Sequence, residues 1–149
     1  MIIELWTLKV SDVTTRLMIT ISSDATVLEA SKRMVGENVG LLVVCDPNDK
    51  TKLVGVVSER DIIRSVASSG RLPEKITAIT TREVVTVNAT AEVAEAAKAM
   101  NKHRIRHVVV VDEHNLPNGV VSLRDLVGER STLKAILQSN EKEVFVGGD

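Results

Sequence analysis

The stretch Gly55-Val56-Val57-Ser58-Glu59-Arg60-Asp61 returns 64 residues later as Gly119-Val120-Val121-Ser122-Leu123-Arg124-Asp125, with one position changed. Such a match inside a chain of 149 residues requires a tandem architecture, because whatever one copy folds into the other must fold into as well. Each copy reads as a strand end, Gly-Val-Val, running into a helix whose N-cap is the serine. Glycine admits a ligand or another backbone at close range, and a helix N-terminus presents unpaired N–H groups to an anion. The aspartate one turn into the helix supplies a carboxylate able to accept from two hydroxyls, so each motif has the makings of half a nucleotide site. Ser-x-x-Asp is also close to a capping box, where the acid serves helix stability alone. The residues by themselves leave both readings open.

The rest of the chain can be laid on itself. Lys9-Val10-Ser11-Asp12-Val13-Thr14-Thr15-Arg16 matches Lys75-Ile76-Thr77-Ala78-Ile79-Thr80-Thr81-Arg82 at an offset of 66, and Ile19-Thr20-Ile21 matches Val85-Thr86-Val87 at the same offset. Both triplets alternate as short strands do. A helix follows in each copy, with Val27, Ala30, Ser31 and Met34 on one face and Val93, Ala96, Ala97 and Met100 on the other copy's equivalent face. Apolar runs, Val39 to Cys45 and Val108 to Val111, then read as strands buried on both sides. Polar turns, Pro47 to Lys52 and Glu113 to Asn118, lead into the repeated motif. Each copy is thus expected to run strand–helix–strand–strand–helix. Neither is large enough to be comfortable alone, so the two are expected to pack together.

The expected organisation is a lead-in over residues 1–8 anchored by Trp6, a first repeat over 9–67, a linker over 68–74 and a second repeat over 75–128. A C-terminal helix and tail follow over 129–149, helical through Leu137 and frayed at the end. Aromatic residues make up only 1% of the chain, so the core must be built from aliphatic side chains. The formal net charge of −1 argues against charge-driven binding to nucleic acid, and the shortage of aromatics removes the platforms for base stacking. The single cysteine, Cys45, sits in an apolar run and reads as a buried core thiol. The start Met1–Trp6 lacks the pattern of a signal peptide and no apolar run is long enough to span a bilayer, so the expected location is cytoplasmic, with no membrane partner.

The tandem duplication, the element order and the Gly-x-x-Ser-x-x-Asp closing each copy together resemble a pair of cystathionine-β-synthase (CBS) domains, a Bateman module. The resemblance covers residues 9–128. It departs from the family where Thr14 and Thr80 stand in place of a frequent methionine, and where Val43 and Val109 stand in place of a frequent proline. The fold class it implies is α/β in the mixed (α+β) sense, two β-α-β-β-α repeats packed around a pseudo-twofold axis with two clefts between them.

The resemblance also implies roles for individual residues. The carboxylates of Asp61 and Asp125 would take the hydroxyls of a ribose, with Ser58 and Ser122 beside a phosphate. Cross-packing would place Ser58 and Asp61 with Thr81, Val84 and the basic junction His103-Arg104-Ile105-Arg106-His107. It would place Ser122 and Asp125 with Thr15, Met18, Val39 and Gly40. Arg104, Arg106 and His107 are the junction's binding candidates, whereas the matching stretch Glu37-Asn38-Val39-Gly40-Leu41 has no base. That asymmetry suggests one cleft suited to a phosphate tail and one less suited, although a basic junction at a helix C-terminus also complements the helix dipole. The implied function is a stand-alone, non-catalytic regulatory module for an adenosine-containing ligand (AMP, ADP, ATP or S-adenosylmethionine). It would require no cofactor or metal, form a homodimer and act on a regulated protein. The alternatives are an interaction scaffold with empty clefts and, less favoured, a nucleic-acid-binding accessory.

Overall fold

A computed structural model describes residues 8–14 and 17–127. In chain order the elements are α1 (Val10–Val13), β1 (Thr20–Ser22), α2 (Val27–Glu37), β2 (Leu41–Cys45), β3 (Leu53–Ser58) and α3 (Glu59–Ser69). A 3₁₀ turn (Ile76–Ala78) precedes β4 (Thr86–Asn88), α4 (Val93–His103), β5 (His107–Val111), β6 (Pro117–Ser122) and α5 (Leu123–Val127). The β-α-β-β-α order therefore occurs twice. β1 is parallel to β2 and β2 antiparallel to β3; β4, β5 and β6 repeat that arrangement. The registers agree as well, Thr20 pairing with Val43 and Thr86 with Val109, and each sheet has an irregularity after Val44 or Val110.

After a partly buried first residue, Leu41 or His107, the central strands are buried to their ends, as their apolar runs require. Alternation sorts their side chains. Leu42 and Val44 join Val27, Ala30 and Met34 of α2, while Val108 and Val110 join Ala96 and Met100 of α4. The opposite faces, Val43 and Cys45 against Val109 and Val111, form a third cluster between the two sheets. Burial, with a smaller push from Asp49, raises the pKa of the Cys45 thiol, as suits a core residue.

Each copy's core is completed by the segment that, in sequence, belongs to the other. Val10 and Val13 of α1 pack into the cluster of the second copy, and Ile76 packs into that of the first. Val10 and Ile76 are both 0% exposed, a burial worth about 1.5–3 kcal/mol for each such side chain. Backbone bonds secure the exchange: Val10 N–H donates to the Ala91 carbonyl (2.8 Å) and Ser11 to Ala89 (3.0 Å), while Ile76 donates to Ala25 (3.2 Å) and Val27 to Glu74 (2.9 Å). The boundaries drawn at Lys9 and Lys75 follow the sequence repeat, but each opening turn lies on the opposite body.

Other expectations need adjustment. α3 continues through Ser69 and closes at Gly70 in the left-handed region (φ 72°), so its last residues occupy the start of the expected linker. β6 begins at Pro117, inside the expected turn; proline is tolerated at the first position of this edge strand. Ala97 is exposed, and Ala99 packs against the core in its place. Ser31 is half-buried, its hydroxyl donating to the Val27 carbonyl (2.8 Å). Trp6 and the tail after Val127 lie outside the described residues, among which no helix is long and apolar enough to cross a membrane.

The motif glycines meet neighbours rather than open space. A Cβ on Gly55 would fall on the Thr81 carbonyl oxygen and 2.6 Å from Thr80 Cγ2, where Val56 and Thr81 exchange backbone hydrogen bonds of 2.9 and 2.8 Å. On Gly119 it would lie 2.9 Å from the side-chain Cγ2 of Thr14. Gly55→Ala is therefore expected to cost about 3 kcal/mol and Gly119→Ala about 1 kcal/mol in urea unfolding. Adding Thr14→Ser should restore Gly119→Ala, whereas adding Thr80→Ser should leave Gly55→Ala defective. Equal rescue in both copies would contradict this assignment.

Candidate functional site

The Ser58–Asp61 end of α3 faces residues 81–85 and the α4–β5 junction across a cleft of about 450 Å³, within the size range of small-molecule sites. Asp61 is held in a reciprocal cap. Its Oδ2 accepts from the Ser58 N–H (2.9 Å) and hydroxyl (2.8 Å), and its own N–H donates to Ser58 Oγ (3.1 Å). The other oxygen, Oδ1, is 3.7 Å from the Arg64 guanidinium, whose side chain is 69% exposed. A pair so open to solvent contributes little to stability. Oδ1 thus retains capacity for donors from a ligand, and the capping and binding readings are compatible in one carboxylate.

Thr81, Val84, Arg104, Arg106 and His107 line the same cleft as Ser58 and Asp61. Arg60 and Arg64 add cationic groups, and His103 an imidazole, beside the carboxylates of Glu59, Asp61 and Glu83. The sequence reading had not placed Arg60, Arg64, Glu59 or Glu83 here. The helical spacing of Arg64 three residues after Asp61 was the available signal for one of them. Arg104 closes α4 in the left-handed region (φ 53°), as its counterpart Asn38 closes α2 at the same φ. Asparagine tolerates that conformation, whereas an arginine there costs about 1 kcal/mol.

The second motif repeats the cap: Ser122 N–H donates to Asp125 Oδ2 (2.8 Å) and Asp125 N–H to Ser122 Oγ (3.1 Å). Its cleft, which Val39, Gly40, Leu17 and His107 also line, measures about 40 Å³, room for little more than a water molecule. Met18 does not join the described lining. It packs on the cluster of Val43, Cys45, Val109 and Val111 between the sheets. Thr15 lies outside the described residues.

Gly40, Leu41 and His107 line both clefts. A Cβ on Gly40 would stand 3.2 Å from the Glu59 carboxyl group and 3.3 Å from His107 Cε1, so both side chains border the glycine. Burial pushes the pKa of His107 below the usual imidazole value, outweighing the carboxylates of Glu59 and Asp125, which raise it; Arg106 lowers it further.

A depressed folded pKa means that His107 favours folding while neutral, and this contribution is lost as pH falls below the ordinary value near 6.5. Between pH 7.5 and 5 the wild type should lose stability relative to His107→Leu, measured by urea unfolding at each pH. A constant difference across that range would contradict the assignment.

Known proteins share this architecture. The model of the CBS domain matches residues 10–68 and again 76–131. An uncharacterized protein of Methanopyrus kandleri is 31% identical over 90% of this chain and 68% of its own. A CBS domain protein from Pyrobaculum aerophilum, solved in complex with AMP, superposes with a TM-score of 0.76 at 35% identity, covering 88% of this chain and 99% of that one. The CBS domain pair of another protein, in complex with 5′-methylthioadenosine and S-adenosyl-L-methionine, gives 0.72 at 29% identity over 81% and 98%. With two matched copies, the exchanged opening turns and the paired Ser-x-x-Asp caps, the chain belongs to the CBS-domain family as a tandem pair.

Proposed function

We propose that the chain is a regulatory module whose large cleft binds an adenosine-containing ligand, with AMP, ADP and ATP favoured over S-adenosylmethionine. The observation that carries this reading is one cleft of about 450 Å³ with the open Asp61 oxygen on one wall and arginines from both copies around it. A vicinal diol matches a carboxylate that has acceptor sites to spare, and guanidinium groups match phosphate oxygens in geometry as well as charge. The AMP complex of the Pyrobaculum relative and the adenosine-type ligands of the other CBS pair support the ligand class. Ser58, Asp61, Thr81, Val84, Arg104, Arg106 and His107 form the proposed site. Ser122, Asp125, Val39 and Gly40 belong to a second cleft too small, as it stands, for a nucleoside.

Occupancy would act by favouring one arrangement of the two copies over another, since a ligand shifts an equilibrium by its difference in affinity for the two states. We place this function in the cytoplasm, with a protein partner as its recipient. Calorimetric titration with AMP, ATP and S-adenosylmethionine is expected to give saturable binding, strongest for the phosphorylated ligands and weakened about ten-fold or more in Asp61→Ala, the scale of one lost charge-assisted bond. No heat with any of the three would overturn this reading and leave the Ser-x-x-Asp pairs as helix caps in an interaction scaffold.

We further propose a homodimer built on the helical face. α3 carries no buried residue, and Ile63 (67% exposed) and Val66 (41%) lie on it, with Leu28 (53%) on α2. A second copy is the occupant that would cover this face symmetrically. Ile63→Glu combined with Val66→Glu should convert a dimer to a monomer in sedimentation equilibrium without loss of helical circular dichroism. A wild type that sediments as a monomer would refute the dimer.

A further inference from the structure

His107 stands on the common wall of the two clefts, and the ligand reading above uses only its place in the large one. On one side its ring and the Glu59 carboxyl group both stand beside Gly40. On the other it lines the small cleft with Asp125, and its strand partner is Ser122, whose backbone N–H the Asp125 carboxylate caps at 2.8 Å. The charged groups around the ring are thus Glu59 from α3, Asp125 from α5 and Arg106 from its own junction; Arg104 and the His103 imidazole also line the large cleft. A neutral imidazole here leaves the two carboxylates uncoupled. An imidazolium would attract both, and an anion arriving in the large cleft would favour that form.

Building on the ligand reading, we propose that His107 links the two clefts: a phosphate group in the large cleft draws a proton from solvent onto its imidazole, and the resulting cation acts on Asp125 in the small one. Coupling of this kind is reciprocal. The state of Asp125 must therefore alter ligand affinity in a cleft that it does not line. The first copy has Leu41 at the equivalent place, paired with Ser58 as His107 is with Ser122, so the duplication supplies a neutral, apolar reference. Leucine at 107 should be accommodated by the same backbone.

Two measurements test the link. In the free protein, the histidine ring resonances of wild type, Asp125→Asn and Glu59→Gln are followed with pH, with His107→Leu assigning the signal among the three histidines. The His107 pKa is expected to fall by about half a unit in each variant, the effect of one nearby carboxylate through partly hydrated protein. Asparagine keeps an acceptor for the Ser122 N–H, so the cap survives. Calorimetry with ATP at pH 6.5, in two buffers of different ionisation heat, should then show proton uptake in the wild type. That uptake should be reduced in His107→Leu to whatever His103 and the phosphate itself contribute. Asp125→Asn should weaken ATP about three-fold in the wild-type background and leave the His107→Leu background unchanged, the non-additivity expected of coupled residues. An unshifted His107 in Asp125→Asn, or an equal effect of Asp125→Asn in both backgrounds, would overturn the link. If ATP gives no heat, the ligand reading fails; the ring titration, repeated with inorganic tripolyphosphate as the anion, then decides the link separately. No rise in the His107 pKa with tripolyphosphate would sink it.

Discussion

The structure depends on an exchange. Ile76 must be seated among Val27, Ala30 and Leu42, and Val10 among Ala96, Met100 and Val108, because neither copy otherwise fills its own core. Once Ile76 is placed, the chain after it has to cross the first copy, and the Val56–Thr81 backbone bonds fix its path. That path brings Thr81 and Val84 opposite Ser58 and Asp61. The composition of the large cleft is thus a consequence of core completion rather than a separate design. The close approach also requires a residue without a side chain at Gly55, since a Cβ would meet the Thr81 backbone. Of the two neighbours this glycine could admit, a ligand or another backbone, it admits the backbone of Thr81.

The serine and aspartate of the motif illustrate how a stabilising device and a binding group can be one object. The cap takes Asp61 Oδ2 twice over and fixes the side-chain rotamer, leaving Oδ1 on the cleft side with only an exposed arginine near it. A carboxylate already held in place loses little further freedom when a ligand arrives, which is the advantage of preorganisation. Asp61→Ala therefore removes two things at once, a helix cap worth about 1 kcal/mol and the proposed diol acceptor. Asp61→Asn, which keeps an acceptor for the cap, separates them.

Much of this was legible in the sequence. An offset of 66 that falls to 64 at the closing motif established that the copies share a fold, and the continuous apolar runs located both central strands. The exchange of opening turns was not legible, because equivalence under an offset says which residues match, not which body each one packs against. The length of α3 was missed because serine, alanine and glycine after Val66 read as a linker. In the structure those residues form a last helical turn, with Gly70 N–H donating to the Val66 carbonyl at 2.8 Å. Arg60 was not legible because an exposed arginine on a helix has no pattern until the opposite wall is known, whereas Arg64 had only its spacing from Asp61 to mark it. The resemblance places Met18 in a cleft, but here it packs against three valines and Cys45 between the sheets.

The two junctions show what divergence after duplication has done. Their backbones agree, with left-handed caps at Asn38 and Arg104 (φ 53° in both) and equivalent bonds from Glu59 N–H to the Gly40 carbonyl (2.9 Å) and from Leu123 N–H to that of Arg106 (2.7 Å). The side chains do not agree: Glu37, Asn38, Gly40 and Leu41 stand where the second copy has His103, Arg104, Arg106 and His107. All four differences add a basic group to the second junction, and all four of those residues line the large cleft. One of them, Arg104, occupies a backbone conformation that asparagine would hold at lower cost. Folding alone gives no reason for arginine rather than asparagine at this φ, whereas the proposed anionic ligand would give one, because Arg104 lines the large cleft. On that reasoning, Arg104→Asn should raise the thermal midpoint by a few degrees, the scale of about 1 kcal/mol in a domain of this size, while weakening ATP more than S-adenosylmethionine.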